Sequence, residues 1–252
     1  LLVGSSFAKS MAQALGIPLL AVDHLRAHVL AHFIRDGSAR PQPAFPFLNL
    51  TVSGGHTLLV LVRSPMDMDV VGTTLDDAAG EAFDKGAKVL GLDYPGGPLI
   101  DRYAAHGDPH KYRLPFPSVE GLDMSFSGVK TAFMNLVRRG TEKDPRFVEQ
   151  GLPDLCASLQ CTIIDILLRR LEEATERYGI REVAISGGVS ANSALRARLI
   201  ERGTQAGWRV HVPPFAYCTD NAAMIAMAGH FLFQASAFAP LDVTPSARTW
   251  VE

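Results

Sequence analysis

Apolar runs of strand length alternate with amphipathic stretches along this chain, an order that predicts an α/β architecture. Phe47-Leu48-Asn49-Leu50-Thr51-Val52 and Leu58-Leu59-Val60-Leu61-Val62 flank Ser53-Gly54-Gly55-His56-Thr57, which reads as two hairpin strands turning on paired glycines. Further strands are expected over 19–22, 70–73, 182–185 and 208–212. Helical periodicity marks 7–15, 23–32, and 75–85 with Asp76 or Asp77 as its cap. It continues with a helix opened by Asp101, one entered at 125–131, a long amphipathic helix over 153–178, another over 191–202, and a last one from 222 towards 235 capped by Thr219 or Asp220.

Three strands, helices and then two strand-helix steps make an α/β lobe of the kind that pairs with a similar lobe across a nucleotide cleft. Three stretches are expected: 1–45, the remnant of a first lobe carrying a His-x-x-x-His helix; 46–221, a second α/β lobe with glycine-rich substrate turns; and 222–252, a C-terminal helix and tail. Leu1 is not an initiator methionine, and the chain is expected to be a fragment whose first lobe is incomplete.

Composition adds exclusions. With 47% hydrophobic and 20% charged residues the chain reads as globular, and no apolar run approaches a membrane span. A formal net charge of -2 gives no electrostatic footprint for nucleic acid, so an RNA partner must meet local or borrowed basic surface. Cys156, Cys161 and Cys218 form neither an even disulfide framework nor a CxxC pair, and free thiols in the cytoplasm are expected.

The candidate chemistry lies in turns and histidines. Ser186-Gly187-Gly188 repeats the Ser-Gly-Gly of the hairpin after another strand, which suggests one cleft gripping an anionic ligand from two sides with bare backbone N–H groups. Tyr94-Pro95-Gly96-Gly97-Pro98 is a third such turn. His24, His28 and His32 recur every fourth residue, so on a helix they share a face, where two imidazoles can chelate one metal ion or stand as plain solvated side chains. His32 reads as capping or solvated. Asp220 is equally a helix cap and a third ligand, and the Asp84-Lys85 pair reads as either a solvated edge or part of a site. Ser125, Ser127 and Lys130 read as an anion contact or as capping.

Seven motifs, in order and spanning nearly the whole chain, then carry a resemblance: His24-x-x-x-His28, the 52–57 turn, the run from Asp76 to Lys85, the 94–98 turn, the 125–131 segment, Ser186 to Asn192, and Cys218 to Met224. Together they resemble the universal tRNA threonylcarbamoyladenosine transferase family, called TsaD in bacteria. The resemblance implies an α/β fold of the actin, Hsp70 and sugar-kinase type. It also implies an acyltransferase that moves a threonylcarbamoyl group from threonylcarbamoyl-AMP to N6 of adenosine 37 in tRNAs reading codons that begin with A. It implies a metal held by His24, His28 and Asp220, one Fe(2+) per subunit with zinc as an occasional substitute, and TsaB-like and TsaE-like partner subunits. Thr51, Val52, Ser53, Gly54, Gly55, Asp84, Gly97, Asp101 and Asn192 would bind the adenylate; some relatives place a metal-reaching tyrosine where Thr51 stands. Competing readings are a carbamoyltransferase domain of hydrogenase-maturation type and a non-catalytic fragment that binds nucleotide and partners. A metalloprotease is excluded because Leu25, not glutamate, follows the first histidine.

Overall fold

A computed structural model describes residues 1–246; of the C-terminal helix and tail expected over 222–252, residues 247–252 lie outside the described residues. The hairpin forms as expected: β1 (Phe47–Val52) pairs antiparallel with β2 (Thr57–Val62), and β2 with β3 (Met68–Thr73). β4 (Glu182–Ser186) lies parallel to β1, and β5 (Arg209–His211) parallel to β4, giving the order β3-β2-β1-β4-β5. The stretch 19–22, expected as a strand, makes only an isolated bridge from Leu19 to Ala239 among the described residues.

Both sheet faces are covered, which is why β1 and β2 are buried along their whole length. One face, with Leu48, Leu50, Leu59 and Ile185, packs under α3 (Ala79–Val89), α4 (Gly96–Ala104), α5 (Ser127–Lys143), α6 (Phe147–Tyr178) and α7 (Ser193–Ala206). The other, with Phe47, Leu58, Val60 and Ala184, packs against α2 (His24–Leu30) and α8 (Ala222–Gln234). Helices from the first and last stretches of the chain therefore share one layer on the same sheet. The helix α1 (Leu2–Leu15) starts five residues before the expected helix and buries only Ala12.

α6 is long and apolar enough to cross a membrane by length and composition, but 67% of its most apolar window is buried. The scaffold reading holds: Leu155, Leu159, Ile163, Ile166, Leu167 and Leu171 all lie in the core. Cys156 and Cys218 are buried free thiols and Cys161 is half-buried; burial pushes Cys156 up to about 12.

Several helix starts differ from expectation. Neither Asp76 nor Asp77 caps α3, which begins after Ala78. Asp76 reaches α5 instead, accepting from the N–H groups of Phe126 (2.8 Å) and Ser127 (3.2 Å) and from the Ser125 hydroxyl. Asp77 pairs with Lys85 and Lys130, so Lys130 is already engaged by a carboxylate. Asp101 lies inside α4 rather than opening it. His32 is neither capping nor solvated: after Leu30 the helix tightens to a 3-10 turn and His32 points inward, its Nε2–H donating to the Ile185 carbonyl at 2.9 Å.

Candidate functional site

β1 and β4 run side by side in one direction with Thr51 opposite Ser186, so both Ser-Gly-Gly turns leave the same edge of the sheet. Within the first turn, Ser53 N–H donates to the His56 carbonyl (2.8 Å) and His56 N–H to Ser53 Oγ (3.0 Å). The start of α3 braces it: Ala79 N–H donates to Thr57 Oγ1 at 2.8 Å and Gly80 N–H to the Ser53 carbonyl at 3.2 Å. A Cβ on Gly80 would stand 2.4 Å from that carbonyl oxygen, and one on Gly187, whose φ is +84°, 2.4 Å from the Val52 oxygen. Gly54 and Gly55 are different: neither has a left-handed φ, and no atom lies within 4 Å of a Cβ built there. Nothing among the described residues requires glycine at these two positions.

A cleft of about 450 Å³ opens between the turns, and Gly54, Asp84, Gly97, Asp101 and Asn192 all line it. Asp84 Oδ1 accepts from Gly96 N–H (2.8 Å) and Gly97 N–H (3.3 Å), tying α3 to the 94–98 turn. Asp101 takes the hydroxyl and N–H of Ser193, both at 2.9 Å. Asn192 caps α7 through Leu195 N–H and donates to Gln160 Oε1 at 2.7 Å. Thr51 and Val52 are not part of the wall. Val52 is in the core, and Thr51 Oγ1 lies in a buried knot with Asn49 Nδ2 (2.8 Å) and Ser186 Oγ (3.2 Å). Ser53 and Gly55 build the turn without lining the cleft. Sequence reasoning left unassigned Phe83, Tyr94, Val189 and Thr219, which also line it; Tyr94, 84% exposed and followed by two prolines and two glycines, was the legible signal.

The histidines and the late aspartate meet. Asn221, not Thr219 or Asp220, caps α8 by accepting from Met224 N–H at 2.9 Å, which leaves the Asp220 carboxylate free to turn toward α2. On α2, capped by Asp23, His24 Nε2 and His28 Nε2 stand 3.3 and 3.2 Å from the same Asp220 Oδ1. Ligand atoms of all three lie within 4.8 Å of one another. Burial, aided by the neighbouring His24, pushes the His28 pKa below its ordinary 6.5 despite Asp220, so its imidazole is neutral and ready to ligate. His28 Nδ1 is buried with no protein partner. Two nitrogens and one carboxylate oxygen at this spacing fit a divalent transition metal with coordination positions to spare. Thr219, next to Asp220, places the triad beside the cleft.

Comparisons with known proteins follow the same lines. A family model for TsaD, tRNA N6-adenosine threonylcarbamoyltransferase, matches residues 1–227. The tRNA N6-adenosine threonylcarbamoyltransferase of Porphyromonas gingivalis is 52% identical over 252 residues, covering 100% of this chain and 74% of that protein. The Cytophaga hutchinsonii protein of the same name is 54% identical over 248 residues, 98% of this chain and 71% of the other. Among solved structures, full-length HypF in its phosphate- and nucleotide-bound form superposes with a TM-score of 0.65 at 13% identity, over 91% of this chain and 46% of that one. HypF from T. kodakarensis gives 0.65 at 15% identity, over 92% and 39%. That likeness speaks for the fold alone, and it agrees with the actin, Hsp70 and sugar-kinase type expected. The glycine turns, the triad and half-identical relatives along the whole chain lead to one conclusion: this chain belongs to the TsaD family of tRNA N6-adenosine threonylcarbamoyltransferases.

Proposed function

We propose that the cleft and the triad together perform the family's reaction, transfer of a threonylcarbamoyl group to N6 of an adenosine in tRNA. The observation that carries the site assignment is the convergence of His24, His28 and Asp220 on one point beside two glycine turns. In this reading the donor is threonylcarbamoyl-AMP. Its adenylate lies in the cleft, with bare backbone at Gly54 open to the phosphate, Gly97 lining the opposite wall, and Asp84, Asp101 and Asn192 holding the walls that orient the nucleoside.

His24, His28 and Asp220 would hold one Fe(2+), or zinc, which when bound supplies Lewis-acid polarisation of the acyl oxygen. The neutral His28 ring gives a ligand without a proton to displace from its charged form. Buried Phe83 and half-buried Val189 make one wall apolar, limiting hydrolysis of the activated donor. Family membership further suggests TsaB-like and TsaE-like partner subunits, tested by co-purification. We place the protein in the cytoplasm, with its tRNA substrate.

The test is metal analysis together with nucleoside mass spectrometry of tRNA from a complemented strain. His24→Ala and Asp220→Ala are expected to lose both bound metal and modified adenosine; full metal occupancy in either variant would refute the ligand set.

A further inference from the structure

The first turn of α7 gathers more of the site than the proposed function uses. Asn192 caps the helix and lines the cleft, and Ser193 holds Asp101. Arg196 follows Asn192 by four residues, which brings it back to the same face one turn on. Its half-buried guanidinium reaches two segments that lie apart in the chain. Nε–H donates to the Ser190 carbonyl at 2.6 Å, inside the turn 188–191. Nη2 donates to the Pro213 carbonyl at 2.7 Å and to Cys218 Sγ at 3.0 Å, on the loop that leads to Asp220. The Phe215 ring of that loop is centred 4.1 Å from Cζ.

Both segments belong to the site. Gly188, Val189 and Ala191 line the cleft on either side of Ser190, and Thr219 lines it one residue after Cys218. A Cβ on Gly188 would lie 3.9 Å from the Thr219 methyl carbon, so turn and loop touch there. The Asp220 carboxylate is 78% exposed and meets only His24 and His28 among the described residues, which leaves its place to the backbone on either side. On one side Asn221 caps α8. On the other Cys218 is fully buried, its thiol donating to the Pro214 carbonyl at 3.3 Å and accepting from Arg196. Every contact of Arg196 among the described residues is with a neutral acceptor or a ring. A planar fork with donors in fixed directions sets such acceptors at fixed distances from one another; an ammonium on a flexible stem does not.

We propose that Arg196 is a positioning residue that fixes the substrate turn and the Asp220 loop against each other, so that the metal ligand keeps its place relative to the adenylate. The inference rests on the cleft and ligand set of the proposed function. Ordering the turn then orders the loop. A nucleoside seated against 188–192 lowers the conformational cost of closing the triad on a cation, and the two ligands bind cooperatively.

The experiment titrates Co(2+), whose visible absorption reports ligand geometry, into the purified protein after chelation, with and without adenosine. Adenosine carries neither phosphate nor acyl group to touch the cation, so a change in metal affinity passes through the protein. In the unaltered protein, saturating adenosine is expected to tighten Co(2+) binding about fivefold or more. Arg196→Lys keeps the charge and loses the fork. It is expected to abolish that tightening, to weaken Co(2+) binding about tenfold and to shift the absorption, with the urea midpoint close to that of the unaltered protein. Cys218→Ala removes one acceptor, leaves the arginine in place and is expected to reduce the tightening in the same direction. Equal tightening in Arg196→Lys and the unaltered protein, or lost stability with metal affinity and absorption unchanged, overturns the proposal. Failure of the unaltered protein to bind Co(2+) overturns the ligand set, and failure to bind adenosine overturns the cleft assignment, each taking this inference with it. Normal binding of both with no tightening between them overturns this inference alone.

Discussion

Gly54 and Gly187 occupy equivalent places in two copies of the same tripeptide, yet the chain holds them for different reasons. At Gly187 a methyl group would meet the Val52 oxygen at 2.4 Å from a left-handed backbone; at Gly54 it would meet nothing. Gly187→Ala is therefore expected to lower stability by about 1–3 kcal/mol, read from urea unfolding. Gly54→Ala should leave stability within about 0.5 kcal/mol and weaken adenylate binding at least tenfold by calorimetry. Unchanged binding in Gly54→Ala would remove that turn from the ligand site. His32 supports a pH prediction. Burial lowers its pKa to about 4, its bond to Ile185 acting the other way, while the unfolded chain titrates near 6.5. The unfolded state binds the extra proton between those values, so the His32 contribution is whole above pH 6.5, declines as pH falls towards 4 and is flat below. The loss is of order 3 kcal/mol. His32→Gln, able to donate to the same carbonyl, should flatten that decline in unfolding midpoints; an unaltered pH profile would show that other groups set it.

Among the elements, strands and the long helix were legible because their signals are local: apolar alternation, length and bounding turns. Cap assignments were less so, since Asp76, Asp220 and Asn221 are all good caps and only tertiary contact decides which helix each serves. Asp76 spans from the end of the β3 connection to the first turn of α5, fifty residues on. Asp76→Ala should cost about 1–2 kcal/mol and raise amide exchange at Phe126 and Ser127. Protection unchanged at those amides would show the cap to be dispensable. The site was readable at Asp84, Gly97, Asp101 and Asn192, which share the cleft, and not at Thr51, whose inward pointing depends on strand phase, a property that slips with one residue of register.

For the whole molecule, the triad joins helices almost two hundred residues apart in sequence. Its meeting could not be read from periodicity; it follows from α2 and α8 lying together on one sheet face. A bound cation should tie those segments, so chelation is expected to raise hydrogen exchange in 23–28 and 218–221 in step while β1 and β4 stay protected. Exchange rising in only one of them would break the link. Deeper in the sheet, Asn49, Thr51 and Ser186 form a buried polar knot at the base of both glycine turns. Sliding β1 along β4 would strand these groups in an apolar layer, each at a cost of about 1–3 kcal/mol. The span between the two turns is thus a ruler graduated before any ligand arrives, and a molecule of the wrong length finds jaws that do not adjust.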